Sequence, residues 1–329
     1  GSVEIISLPE GAEIYTFDGE LVGMTPHSIP RIKTGPVSYE IRLEGFKPHY
    51  FENRAVVVDG LLELKAELEA GQAVAYGKKW VNSIGMEFEP VGEQLLVSKF
   101  ETRRREFEEF IDNNDEYAMP NHGHSSQGVH PVDAVSRVDA EAFCTWLTEY
   151  ERANNYITIR HVYRLPTDEE WSQLAGLPKE PGATPENRNN KIDGIFPWGY
   201  EWPPPPYSGN FSDESRASLY EDQLGIVSSN VPAPPIIVGY DDGVPEIGWA
   251  REHNENRYKL HQVSGNVWEW VSTNFTAGSS TKMGVIRGGS WETAERTELL
   301  SSHRRSLVST AREPGVGFRV VLTRVRNGN

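Results

Sequence analysis

The sequence predicts a small all-β module followed by a larger, loop-rich domain that carries a few helices. Three observations point there. Residues 1–70 hold short alternating apolar segments separated by turn residues. Helical periodicity appears only after residue 100, in three short stretches. The chain also combines nine Trp, thirteen Tyr and twelve Phe with 30 Gly and 22 Pro, a mixture typical of compact, loop-heavy structures.

In the first module, Val3–Ile6 alternates and stops at Pro9-Glu10-Gly11, and Ala12–Phe17 alternates and turns at Asp18-Gly19. Val37–Leu43, Arg54–Val58 and Leu61–Leu68 follow, with turns at Glu44-Gly45 and Asp59-Gly60. Five short strands punctuated in this way read as a β-sandwich. Ala70-Gly71-Gln72-Ala73 reads as a linker. Beyond it, Glu101–Asn113 places Phe107, Phe110 and Ile111 among charges, as an amphipathic helix does. Asp139–Tyr150 is a second helix with Ala140, Phe143, Cys144, Leu147 and Tyr150 on one face, capped by Asp133 or Ser136. A third begins at Thr167, where Glu170 three residues on completes a capping box. From Gly176 to Arg257 periodicity fades, and Pro203-Pro204-Pro205-Pro206 sits inside a long irregular stretch. Long loops in compact domains usually serve function or are clamped by ligands.

With 329 residues the chain holds about two domains at roughly 150 residues each, enough to bury a core without staples. The net charge of −16 repels phosphate polyanions, which argues against nucleic acid and anionic membrane surfaces as partners. No apolar run approaches the ~18 residues of a spanning helix, and no signal peptide precedes the first strand. The Gly1-Ser2 opening reads as a cloning scar, with an upstream domain expected to tether this segment. One cysteine, Cys144, cannot form an intrachain disulfide or a multi-cysteine zinc site. On the apolar face of its helix it reads as a packed core residue, because a reactive thiolate needs an exposed, electropositive setting.

Two sets of motifs carry family resemblances. Leu8-Pro9-Glu10-Gly11-Ala12, the run from Asp18-Gly19 to Gly23-Met24-Thr25-Pro26, and Glu44-Gly45-Phe46 resemble the PEGA domain. That resemblance implies a spacer without chemistry, placed outside the cytoplasm. The second set is Asn82–Phe88, His130-Pro131-Val132, Tyr163–Trp171, Ser264–Trp270, Val285–Trp291, Ser301–Arg305 and Gly315–Val321. In that order they resemble the formylglycine-generating enzyme, or sulfatase-modifying factor, family. The resemblance implies an α+β, C-type-lectin-like fold over residues 71–329, behind the β-sandwich of residues 1–70.

The resemblance also implies where chemistry would lie. The family's oxygenases bind copper(I) through two cysteines, and those positions here hold Thr293 and Glu298. Hydroxyl and carboxylate do not replace soft thiolates, so no copper and no catalytic residue are expected. A sister branch, the ergothioneine-type sulfoxide synthases, holds iron through His-x3-His-x-Glu, which is absent here. His122-Gly123-His124 is the nearest cluster and reads as a solvated loop. A structural calcium is implied at Gln262, the carbonyls of Gly265 and Val267, and Glu269. The segment that forms the family's substrate cleft carries Trp268, Trp291, Glu292, Glu295, Arg296, His303, Arg304 and Arg312, residue types suited to ligand binding. Trp268, Trp270 and Trp291 could equally be core aromatics, and Arg287, Arg305 and Arg319 read as internal structural pairs. The leading expectation is therefore a non-catalytic domain that binds a peptide, protein or small molecule. The alternatives are an oxidase with a different ligand set, the variable binding protein of a diversity-generating retroelement, and a structural scaffold.

Overall fold

The computed structural model describes residues 1–17, 20–43, 46–69, 74–121, 123–224, 233–276 and 283–325. His122 lies outside them. The chain forms two compact units: Gly1–Tyr76 with Leu147–Val162 and Thr323–Asn329, and Gly77–Trp146 with Tyr163–Leu322.

The first unit contains a β-sandwich. One sheet has the order β4 (His27–Ile29), β1 (Ser2–Leu8), β7 (Leu61–Glu67), and the other has β3 (Leu21–Met24), β2 (Glu13–Thr16), β5 (Gly35–Arg42), β6 (His49–Val56). The alternation of Val3 and Ile5 turns both inward, where they meet Ile14, Ile41, Phe51 and Leu64 in one core. Each such side chain stabilises the fold by about 1.5–3 kcal/mol. The sequence predicted five strands, and the described residues form seven. β3 and β4 span only four and three residues, too short for a readable alternation. The strand expected at Arg54–Val58 begins at His49 instead, and Val57 and Val58 lie exposed beyond its end.

Beyond the sandwich, one sheet has the order β11 (His161–Arg164), β16 (Val321–Arg324), β10 (Leu95–Ser98), β9 (Glu87–Val91), β8 (Trp80–Val81). Another has the order β14 (Arg305–Val308), β13 (Met283–Arg287), β12 (Trp268–Asn274), β15 (Val316–Phe318). Few helices accompany them, so the second unit is α+β, as expected. α1 (Arg104–Asp112) buries Phe107 and Phe110, which both pack with Phe143 of α2 (Arg137–Ala153), and Phe107 also meets Phe318. Cys144 is buried on α2 and its thiol is pushed up by burial, which keeps it protonated. Ser136 caps α2 by exchanging hydrogen bonds with Asp139, whereas Asp133 accepts from the backbone of His124, Ser125 and Gly315. Tyr150, expected on the core face, is exposed.

α3 (Asp168–Leu174) starts at the expected capping box: Thr167 Oγ1 accepts from Glu170 N, and the Glu170 carboxylate accepts from Thr167 N. The stretch read as irregular also holds two helices, α4 (Pro185–Arg188) and α5 (Glu214–Leu224). α5 escaped notice because its sequence, ESRASLYEDQL, shows little apolar periodicity.

What positions the C-terminal loops is a buried charge cluster. Asp168, the first residue of α3, accepts hydrogen bonds from Arg287 at the end of β13 and from Arg304 just before β14. Both guanidiniums have no exposed side-chain surface. Glu180 also takes the Arg304 guanidinium, and Arg287 donates to the Ser301 carbonyl at 2.6 Å and stacks over Trp171. Burial alone would raise the Asp168 carboxyl, but Arg287, Arg304 and Arg188 outweigh it and hold it below its usual value.

Removing one partner of such a cluster leaves charge buried without compensation, a loss of about 3–5 kcal/mol. Asp168→Asn should therefore lower stability in urea unfolding by roughly that amount. The depressed carboxyl favours the folded state above the ordinary value of about 3.9, and that contribution is lost as pH falls through the lower folded value. The acid limb of the stability–pH curve should accordingly be shallower in Asp168→Asn than in the parent chain.

Candidate functional site

The turn that leaves β13 builds the site. Gly288 and Gly289 have φ of 97° and 78°, a region that side chains rarely adopt. At Gly289 an added Cβ would also lie 2.5 Å from Leu299. The next residues close a tight turn: Thr293 N donates to the Ser290 carbonyl at 2.9 Å, and Thr293 Oγ1 accepts from Ser290 N at 3.0 Å. Glu292 N donates to Ser290 Oγ. Ser290, Glu292 and Thr293 are thereby fixed at the lip of a cavity of about 480 Å³.

Trp268 forms one wall of that cavity, with Ser290, Glu292, Thr293 and Glu298 around it. His124, Arg305, Glu313 and Pro314 complete the lining. Both positions where the family would carry cysteines, Thr293 and Glu298, therefore face one space. Three carboxylates (Glu292, Glu298, Glu313) meet one guanidinium (Arg305), so the lining carries an excess of two negative charges, His124 aside. Arg216 pairs with Glu292 at 3.1 Å from outside the lining, and Arg305 pairs with Glu313 at 2.5 Å. Glu298 has no ion-pair partner among the described residues.

The structure brings together only part of the expected ligand set. Trp268 and Glu292 line the cavity. Trp291 does not: it is buried with Ile247 and Val267, its ring meets His124 at 4.9 Å, and Arg216 lies over it at 4.4 Å. Arg296 points elsewhere, to Asp193 at 2.9 Å, and Glu295 is exposed outside the lining. Arg312 pairs with Asp139 through two hydrogen bonds of 2.7 Å and lines a different depression, with Tyr117 and Met119. His303 packs its ring 5.8 Å from Trp268 and contacts Asn190. Burial, then Arg287, Arg304 and Arg305, lower its imidazole to about 4, so it is neutral at pH 7. Arg304 is a correction: assigned to ligand binding, it is buried and spent on Asp168 and Glu180. Arg305 corrects in the opposite sense, since it stands at the cavity rather than inside the fold. Glu313 and Pro314 escape a sequence reading, and His124, read there as part of a solvated loop, lines the cavity, because topology and not sequence spacing brings them to Ser290.

Copper(I) does not fit this lining. A Thr hydroxyl already engaged in the turn and a carboxylate are hard donors, and Cys144 is buried on α2. Calcium does not fit its expected set either. Glu269 Oε1 accepts from Arg319 Nε at 2.9 Å, and Oε2 accepts from Trp171 Nε1 at 2.9 Å. The guanidinium thus stands where the divalent charge would act. Gln262 and the carbonyls of Gly265 and Val267 remain, too few and too neutral for an ion that takes six to eight oxygens. Beside them, Glu101 accepts from Asn266 and from Val267 N, and burial together with the Glu269 charge raises its carboxyl well above the usual range. Among the described residues no group of three or more His, Cys, Asp or Glu side chains could hold a metal ion.

Comparison with known proteins adds the following. Residues 67–324 match the model of the sulfatase-modifying factor enzyme 1-like domain, and residues 1–70 match the PEGA domain. The chain is 28% identical over 197 residues to inactive C-alpha-formylglycine-generating enzyme 2 of Bos taurus, covering 59% of this chain and 48% of that protein. It is 27% identical over 155 residues to formylglycine-generating enzyme of Mus musculus, covering 46% and 30%. The chain thus spans less than half the length of these curated relatives. Among solved structures, PvdO from Pseudomonas aeruginosa matches with a TM-score of 0.49 at 14% identity, covering 76% of this chain and 100% of that one. Treponema denticola variable protein 1 matches with a TM-score of 0.43 at 15% identity, covering 74% and 98%.

If Glu269 serves Arg319 rather than an ion, chelation should leave the melting temperature unchanged. Glu269→Gln should cost about 3–5 kcal/mol in denaturant unfolding, because Arg319 is then buried without its counter-charge. A fall in melting temperature on adding EDTA, reversed by calcium, would contradict this assignment.

Proposed function

Because the chain belongs to the sulfatase-modifying factor family and carries a PEGA domain over residues 1–70, we propose that its larger domain is a non-catalytic recognition module. Its ligand is a peptide or protein segment carrying positive charge. The observation that supports this most directly is the pair Thr293 and Glu298, a hydroxyl and a carboxylate facing one cavity. Hard oxygen donors cannot hold copper(I), and the redox chemistry that two thiolates support has no counterpart there. The name of the bovine relative, an inactive enzyme, is consistent with the same reading. Active formylglycine-generating enzymes are also similar to this chain, so activity is a matter for direct measurement.

The cavity suits recognition by contact. Glu292, Glu298 and Glu313 draw a cation, and Arg305, paired with Glu313 through one nitrogen, keeps further donors of its fork for a partner carbonyl or carboxylate. Trp268 supplies a rigid wall against which an aliphatic stem can lie. The PEGA domain supports placement outside the cytoplasm, with the β-sandwich as spacer for a domain tethered to further sequence. No helix among the described residues is long and apolar enough to cross a membrane.

Two measurements test the reading. Copper(I) titration should give no stoichiometric binding, and incubation with a cysteine-bearing peptide and oxygen should give no aldehyde; turnover would overturn it. In calorimetric titration a Lys- and Arg-rich peptide should bind more tightly than its Asp- and Glu-rich counterpart. Added salt should weaken that binding, and Glu298→Gln should weaken it by roughly fivefold. Equal binding of both peptides would remove the charge argument.

A further inference from the structure

A second cavity, of about 420 Å³, lies within the first unit, and its character is opposite. Arg42, Arg160 and Arg324 all line it. Arg42 is answered by Glu40 at 2.5 Å. Neither Arg160 nor Arg324 has a carboxylate or a side-chain hydrogen-bond partner among the described residues; each instead stacks on an aromatic ring. Arg160 lies 4.3 Å from the centre of Tyr15, which Arg42 also approaches at 4.3 Å, and Arg324 lies 5.0 Å from the centre of Tyr76. One further carboxylate, Glu13, lines the space and accepts from the Tyr15 hydroxyl. Three guanidiniums against Glu13 and Glu40 leave one positive charge in excess, within a chain whose net charge is −16.

The groups around the lining carry the same sign. Arg152 donates to the carbonyls of Ile159 and His161, adding a fourth guanidinium next to the cavity. His161, on the wall, is lowered to about 3, first by burial and then by Arg42, Arg324, Arg152 and Arg160. It is therefore neutral and adds no charge of its own at pH 7. Much of the remaining wall is apolar, with Leu43, Phe46 and Ile157 facing the space beside the polar Thr158 and Tyr156. A volume of this size lies within the range of small-ligand sites, roughly 300–1,000 Å³.

We propose that this cavity binds an organic oxyanion, a phosphate ester or carboxylate carried on an apolar body. Guanidiniums recognise both groups through paired donors, and stacking on Tyr15 and Tyr76 holds Arg160 and Arg324 in place while leaving their N–H groups unspent. The apolar wall selects against bare inorganic anions. The site shares no residue with the acidic cleft of the other unit, so it stands or falls separately from the function proposed there.

The test is calorimetric titration of the full chain with phenyl phosphate, phenylacetate and inorganic phosphate. At least one of the two aromatic anions should bind saturably at one site, and the tighter of the two identifies the oxyanion. It should bind about tenfold more tightly than inorganic phosphate, because the ring is buried against the apolar wall. Arg160→Gln and Arg324→Gln should each weaken it by roughly fivefold. Arg324 is exposed, so its variant retains the fold and carries the test even if Arg160→Gln does not fold. Saturable binding of neither aromatic anion, equal affinity for inorganic phosphate, or unchanged affinity in the folded variants would each overturn the proposal.

Discussion

The Asp168 carboxylate is the constraint on which the C-terminal half of the larger unit depends. It sits at the start of α3, where the helix N-terminus already favours negative charge, and it receives both Arg287 and Arg304. Those two arginines bracket the segment from Gly288 to His303 in sequence. Anchoring both ends to one buried anion fixes the loop between them without a long run of regular structure. Ser290, Glu292, Thr293 and Glu298 are all carried on that loop. The cavity's shape is thus set by charges that do not face it. Glu269 and Arg319 do the same for the neighbouring loop, joining β12 to the carbonyls of Ser98, Lys99 and His261.

Scaffold and chemistry are separable for that reason. The turn at Gly288 and Gly289 is required by backbone geometry, whatever side chain occupies position 293. Thr293 strengthens the turn, because its hydroxyl accepts from Ser290 N, a bond that a thiol would make only weakly. The residue that removes the soft donor also stabilises the loop. Glu298 acts differently: it takes part in no ion pair among the described residues and presents its charge to the cavity, a cost that a ligand of opposite sign would offset.

The sequence made much of the fold legible wherever local signals agree with tertiary packing. The capping box at Thr167 and Glu170 survives unchanged, and the alternation of Val3 and Ile5 correctly marks a core face. It misled where hydrophobicity and structure part company. Val57 and Val58 look like a strand and lie exposed after one, while Tyr150 falls at the end of α2 and escapes burial. At the site, Arg304 and Arg305 are adjacent in sequence and of the same type, yet one is buried in the charge cluster and the other stands at the cavity. Alternation across the start of β14 separates them, and only the register of that strand decides which faces inward. His124 and Glu313 were illegible for a related reason, since Asp133 draws their two distant segments together through His124 N and Gly315 N.

Net charge is the other place where a whole-chain property fails as a guide to local recognition. A total of −16 describes the field at long range, but screening confines charge effects to about 8–10 Å at ordinary ionic strength. Within that distance the two cavities differ in sign. Glu292, Glu298 and Glu313 dominate one, whereas Arg42, Arg160 and Arg324 dominate the other. An acidic chain can therefore still hold an anion in a walled space where arginines outnumber carboxylates. The repulsion expected from the total charge acts on extended polyanions, which must span many Debye lengths of surface, and not on a small ligand enclosed by guanidiniums and aromatic rings.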